Sequence, residues 1–193
     1  MKDRYGREID YLRISITDRC NLRCVYCMPK DGIHQISHKE ILTYDEIKRV
    51  CQCVTTLGIH KIKLTGGEPL TRKNCSELVA MVKALPGIEK VTLTTNGVLL
   101  KDQLKDLAEA GIDNINISLD TLNKTEFHRI TRREGLSSVL ESIEEALKYP
   151  QIGLKINCVP VIEDPENLVS IAGLAKTHPI HVRFIEMMPI GFG

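Results

Sequence analysis

Three cysteines stand in one short run, Cys20-Asn21-Leu22-Arg23-Cys24-Val25-Tyr26-Cys27, separated by three and then two residues. Three thiolates on one loop can each take one iron of a 4Fe–4S cubane, which leaves the fourth iron open to a substrate or cofactor. Arg19 and Arg23 flank the thiols, and cations beside a thiol favour the thiolate. Two other readings of the run stay open: a zinc site completed by His34 or His38, and reduced structural cysteines. Zinc sites usually pair their ligands, with four in reach, and three structural thiols on one loop lack an evident purpose. The remaining four cysteines read differently. Cys51 falls on the apolar stripe of a helical pattern and Cys158 on the apolar face of a strand pattern, as small core residues do. Cys53 and Cys75 have no partner spacing and receive no role.

What must position the cysteine run is an alternation of element types. Strand-like segments rich in Ile, Leu or Val occur at residues 11–17, 61–65, 90–95, 114–119, 153–161 and 181–186. Helical patterns lie between them at 43–57, 74–85, 99–110, 136–149 and 167–176, the first opened by a Thr43/Glu46 capping box. Such repetition means parallel strands joined by right-handed crossovers. The cysteines follow the first strand, and the carboxyl ends of parallel strands form the ligand-binding face.

The strands alternate, whereas parallel strands covered on both faces read as continuous apolar runs. Leu12, Ile14 and Ile16 oppose Arg13, Ser15 and Thr17; Ile62 and Leu64 oppose Lys61, Lys63 and Thr65; Ile115, Ile117 and Leu119 oppose Asn114, Asn116, Ser118 and Asp120. Ile156 and Cys158 oppose Lys155 and Asn157, and Val182 and Phe184 oppose His181 and Arg183. One face therefore packs under helices and the other is polar, which predicts an α/β fold: a partial (βα)6-type open barrel with outer helices and a polar lumen. Arg13, Lys63, Lys155 and Arg183 would line that lumen against the single acid Asp120, so an anionic ligand is expected there.

Composition narrows the field. The chain has 193 residues, 26 Lys+Arg against 25 Asp+Glu and 42% apolar residues, as one ordinary globular domain does. A net charge of +1 and 4% aromatics without Trp speak against general nucleic-acid binding. No run approaches the roughly 18 apolar residues of a membrane span, and the charged opening is no secretory signal, so a cytoplasmic protein is expected.

The Cys-x3-Cys-x2-Cys run with an aromatic before its third Cys resembles the signature of the radical S-adenosylmethionine (SAM) superfamily, and Gly66-Gly67-Glu68-Pro69 after the second strand resembles that family's GGEP motif. The blocks Leu93-Thr94-Thr95-Asn96-Gly97, Asn116-Ile117-Ser118-Leu119-Asp120 and Arg183-Phe184-Ile185-Glu186 are similar to the MoaA branch, the GTP 3',8-cyclases (lyases) of molybdenum cofactor biosynthesis. The resemblance implies that Cys20, Cys24 and Cys27 ligate one 4Fe–4S cluster whose open iron chelates SAM. It implies SAM contacts at Tyr26, Gly66, Gly67, Glu68, Ser118 and Met188, and GTP contacts at Arg13, Lys63, Thr94 and Lys155. It also implies an external electron donor, while composition leaves no nucleic-acid or membrane partner expected. Asp120 and Glu186 are candidates for proton transfer. Alternatives are a radical SAM enzyme acting on a peptide or another nucleotide, and a zinc-stabilised binding module.

Two departures stand out. Position 63 is Lys where the branch commonly has Arg, which keeps the charge and loses the planar two-point grip on phosphate. Family members also continue into a region with a second cysteine triad and a Gly-Gly tail, whereas this sequence stops at Gly193. The expectation is a radical SAM core that binds one cluster and SAM and cyclises GTP poorly unless another chain supplies that region.

Overall fold

The computed structural model describes residues 2–162 and 164–187. Its elements run β1 (Tyr11–Ser15), α1 (Tyr44–Thr55), β2 (Lys61–Thr65), α2 (Cys75–Lys83), β3 (Lys90–Thr95), α3 (Leu100–Glu109), β4 (Asn114–Ser118), α4 (Lys124–Thr131), α5 (Leu136–Ala146), β5 (Gly153–Cys158), α6 (Pro165–Thr177) and β6 (Ile180–Phe184). The six strands lie in sequence order in one sheet, and every neighbouring pair is parallel. β1 and β6 form the two edges, so the sheet is the open partial barrel that the alternation predicts.

Register turns alternation along each strand into rows across the sheet. Ile14, Leu64, Leu93, Ile115, Leu154 and Ile180 are successive partners, and this row packs beneath the helices. On the opposite face Arg13 pairs with Lys63. One row further toward the carboxyl ends, Thr94, Asn116, Lys155 and His181 are partners. Ser118, Asn157 and Arg183 form the next row. A one-residue slip in β1, β2 or β5 would turn a cation toward the helices and an Ile or Leu away from them, so the hydrophobic row fixes the register.

Helix ends follow local chemistry. Thr43 caps α1 with a reciprocal Glu46 bond, as the capping box predicts. Cys51, Cys75 and Cys158 are buried and Cys53 is exposed. Several strands and helices end earlier than the sequence pattern predicts, β1 at Ser15 and β5 at Cys158 among them, and two differences bear on the site. β6 begins at Ile180 and ends at Phe184, leaving Glu186 on an exposed segment beyond it. α4 has no counterpart in the sequence reading. It is a helix of 8 residues, capped by Asn123, with only Phe127, Ile130 and Thr131 buried, so its periodic signal is short.

Candidate active site at the carboxyl ends of the strands

The cysteine run leaves the end of β1 and is pinned by its own apolar residue, since Leu22 is buried in the core. Cys27 N–H donates to the Cys24 carbonyl at 2.9 Å, which curls the segment between the second and third cysteines. The last turn of α4 holds the loop from across the barrel: Arg23 N–H donates to the Thr131 carbonyl and Val25 N–H to the Ile130 carbonyl, both at 2.9 Å. Arg132, just past α4, donates to the Met28 carbonyl at 3.1 Å. These anchors were not visible in the sequence. Asn123 was the available signal, as a helix cap that accepts from Thr125 and Glu126.

The three thiols are electrostatic neighbours. Burial pushes the Cys24 thiol up to about 12, and Asp120, Cys20 and Cys27 add to the effect. Burial also raises Cys20. Arg23 draws the Cys20 thiol down, the direction expected of a flanking cation, against the larger effect of burial. The Arg23 guanidinium donates to the Cys20 and Leu22 carbonyls at 2.7 Å each and shapes the loop, and its pull on the Cys20 thiol is the weakest influence. Thiols of this kind lose their protons to a metal rather than to solvent. Among the described residues no three His, Cys, Asp or Glu side chains converge on a single ion-sized point. Three thiols on one loop can give one thiolate to each of three irons of a cubane, whereas a tetrahedral zinc site takes four ligands at one ion, so the chemistry of the donor set suits the cluster.

The Gly66–Glu68 segment is strapped to the stretch that leads into the cysteines. Gly67 N–H donates to the Thr17 carbonyl and Glu68 N–H to the Arg19 carbonyl, both at 2.7 Å. The approach is possible only without side chains. Gly66 has φ +152, and a Cβ on Gly67 would stand 2.8 Å from the Asp18 carbonyl oxygen and closer still to that of Arg19. Glu68 is buried, and its carboxylate accepts from Thr95 Oγ1 (2.7 Å), Asn96 N–H (2.6 Å) and Leu70 N–H (3.0 Å). It thus joins the ends of β2 and β3, with both oxygens occupied by protein donors.

Around this floor lie the other candidates. Tyr26 sits between two of the cysteines, and its hydroxyl donates to Asp120 Oδ2 at 2.7 Å. Asp120 is buried, with Oδ1 accepting from Val159 N–H at 2.8 Å, so it does not face the lumen as an open acid. Ser118 is half-buried at the end of β4. Its register partner Asn157 has an Oδ1 that is buried and lacks a partner among the described residues. A buried orphan acceptor in a polar lumen is what a ligand hydroxyl or amine would satisfy; sequence reasoning placed Asn157 on the polar face and gave it no task. Met188 lies outside the described residues. Lys63 carries the signature of the cation cluster. Burial holds its ammonium below the usual lysine range, and Arg13, Lys155 and Arg183 push the same way. Thr94 stands half-buried on the same face.

A parallel open barrel whose strand ends gather a three-cysteine loop, a glycine strap and a lumen of cations defines a class of cofactor-dependent enzymes. Residues 14–175 match the model of the radical SAM superfamily, and the chain belongs to that superfamily. Its members hold a 4Fe–4S cluster through cysteines and bind SAM. Among curated proteins the chain is 49% identical to a GTP 3',8-cyclase of Pelotomaculum thermopropionicum over 99% of its own length and 59% of the relative's. It is 50% identical to a GTP 3',8-cyclase of Clostridium perfringens over 100% and 60%. The chain thus spans about 60% of the length of these relatives. Its fold is similar to that of Streptococcus suis SuiB bound to S-adenosylmethionine, with a TM-score of 0.80 at 17% identity over 94% of this chain and 41% of that one. It is also similar to methylornithine synthase, with a TM-score of 0.73 at 20% identity over 93% and 53%. Among the described residues no helix is long and apolar enough to cross a membrane.

Proposed function

We propose that residues 1–193 form one radical SAM core domain of a cytoplasmic GTP 3',8-cyclase. Its reaction would cleave SAM reductively and start the conversion of GTP to (8S)-3',8-cyclo-7,8-dihydroguanosine 5'-triphosphate in molybdenum cofactor biosynthesis. The observation that carries this reading is the coincidence, on one barrel mouth, of the three-cysteine loop with a lumen where Lys63 feels Arg13, Lys155 and Arg183. The two cyclase relatives at 49% and 50% identity support it.

In this reading Cys20, Cys24 and Cys27 hold the cluster, which supplies the electron that splits SAM into methionine and a 5'-deoxyadenosyl radical. The electron comes from an external donor. Tyr26, Gly66, Gly67, Ser118 and Asn157 seat SAM, with Glu68 fixing the strap from behind. Arg13, Lys63, Thr94, Lys155 and Arg183 hold the triphosphate, so that the GTP ribose is presented to the radical. Positioning and exclusion of water are the chain's contribution. Glu186, exposed beyond β6, and Asp120, bound to Tyr26, are given no proton-transfer task.

The test is anaerobic reconstitution with iron and sulfide, reduction with dithionite, and measurement of 5'-deoxyadenosine from SAM with and without GTP. Formation of 5'-deoxyadenosine that GTP stimulates is expected; its absence from protein with a full cluster overturns the reading. The lumen makes a second prediction. Lys155→Ala weakens GTP binding about tenfold, and Lys63→Arg tightens it severalfold, because a guanidinium grips phosphate at two points where an ammonium offers a point charge. Equilibrium dialysis of GTP at low and high salt checks both.

A further inference from the structure

Among the groups at the barrel mouth, Asp120 has the least conventional surroundings. Its carboxylate is buried at 8% exposure, with Tyr26 hydroxyl donating to one oxygen at 2.7 Å and Val159 N–H to the other at 2.8 Å. Its backbone carbonyl accepts from Asn167 Nδ2 at 2.9 Å, so α6 fixes the main chain as well. No Lys, Arg or His among the described residues lies within ion-pair distance of it. The lumen cations sit on other rows of the sheet, and Lys63 answers to them rather than to Asp120. A buried carboxylate held only by neutral donors is unusual, because buried charges are ordinarily paired. Burial pushes the Asp120 carboxyl up, and the Tyr26 and Val159 donors work in the opposite direction to keep it charged. Asp120 also lines a particular place. A small cavity of about 30 Å3 is bounded by Cys24, Tyr26, Ser118 and Asp120 and by the core residues Phe127 and Ile130 of α4. It therefore lies beside one cluster cysteine and two residues to which the proposed function gives SAM.

SAM carries a permanent positive charge on its sulfonium sulfur. The corresponding thioether, S-adenosylhomocysteine, has the same adenosine, amino and carboxylate groups and a neutral sulfur. A fixed anion beside the site separates the two by charge alone, and in a water-poor pocket that separation is substantial. We propose that Asp120 is a specificity-determining residue whose buried carboxylate, aimed by Tyr26 and Val159, makes this site prefer the sulfonium of SAM over the neutral thioether. The inference rests on the SAM-binding reading above. Tyr26 has a separate task in it: the hydroxyl holds the carboxylate in place, and the charge does the discriminating.

The experiment uses the full chain reconstituted with iron and sulfide, and measures anaerobic binding of SAM and of S-adenosylhomocysteine by equilibrium dialysis. Wild type is expected to favour SAM. Asp120→Asn, which keeps shape and removes charge, should shrink that preference by about tenfold or more, chiefly through weaker SAM binding. Tyr26→Phe leaves Val159 N–H holding one oxygen and should reduce the preference less than Asp120→Asn does, even where both ligands bind less well. A merely structural Asp120 would weaken both ligands by the same factor, and that result, or an unchanged ratio, overturns the proposal. Asp120→Ser repeats the measurement should Asp120→Asn fail to take up iron. Failure of both variants to load iron makes Asp120 a structural anchor and also overturns it. If wild type loads its cluster and binds no SAM, the proposed function falls first.

Discussion

Cys24→Ala is expected to give a colourless protein after reconstitution, without stoichiometric iron and sulfide, and with 5'-deoxyadenosine at the level of a no-enzyme control. The reasons are local. Cys24 is the most deeply set thiol of the three, and its carbonyl accepts from both Cys27 and Met28, so it is the pivot of the curled segment. Two remaining thiols leave a cubane with too few protein ligands to hold it. The barrel itself should survive, because the core row from Ile14 to Ile180 does not involve Cys24, and far-UV circular dichroism should match wild type. Cys53→Ala is the control: Cys53 is exposed on α1, and iron content should not change. A coloured, turning-over Cys24→Ala protein would remove the cluster from this loop.

Gly67→Ala should be the most damaging change of a single methyl. The added carbon would overlap the carbonyl oxygens of Arg19 and Asp18, both backbone atoms that cannot swing aside as a side chain does. Overpacking of this kind costs about 3 kcal/mol. Relief requires the strap to lift, which lengthens the bonds from Gly67 N–H to Thr17 and from Glu68 N–H to Arg19. The stretch that enters the cysteine loop then loses its support, so cluster occupancy and SAM affinity should fall together with the melting temperature. Gly173→Ala provides the comparison, since nothing lies within 4 Å of a Cβ built there and the residue is helical; that change should be neutral or stabilising. Gly67→Ala with wild-type melting and full iron would show that the strap yields, and that the close approach has no structural purpose.

The sheet was legible in the sequence because its signal has period two and recurs in strand after strand. The Ile and Leu positions of β2, β4 and β5 cannot be read in another register without exposing them. The cysteine loop was legible for a different reason: three like ligands at short spacing have few other uses. What stayed hidden depends on which chain lies across which. Arg23 reads as a cation beside a thiol, yet its guanidinium is spent on two carbonyls of its own loop. Asp120 continues the polar face of β4 by alternation, but β4 ends at Ser118, and beyond it the chain turns the carboxylate inward onto Tyr26. Glu68 reads as a ligand contact in its motif and is bonded to Thr95, Asn96 and Leu70. Short-range pattern records strands and loops well; it does not record partners tens of residues away. α4 escaped on length alone.

The strands pair only with their neighbours in sequence, whereas the bonds that seat the cysteine loop span about half of the chain. Tyr26 and Asp120 are 94 residues apart, and Arg132 reaches Met28 across 104. Closing a long loop is entropically slower and costlier than adding the next strand to a growing sheet. Assembly of the chain should therefore run in two stages, with the sheet zipped first and its mouth drawn shut afterwards. In reverse, the mouth should open without the sheet dissolving, so amide exchange at Arg23 and Val25 should be governed by local opening while that of β3 and β4 awaits global unfolding. A protein made this way can admit the inorganic sulfide and iron of its cofactor into a finished frame, and close over them.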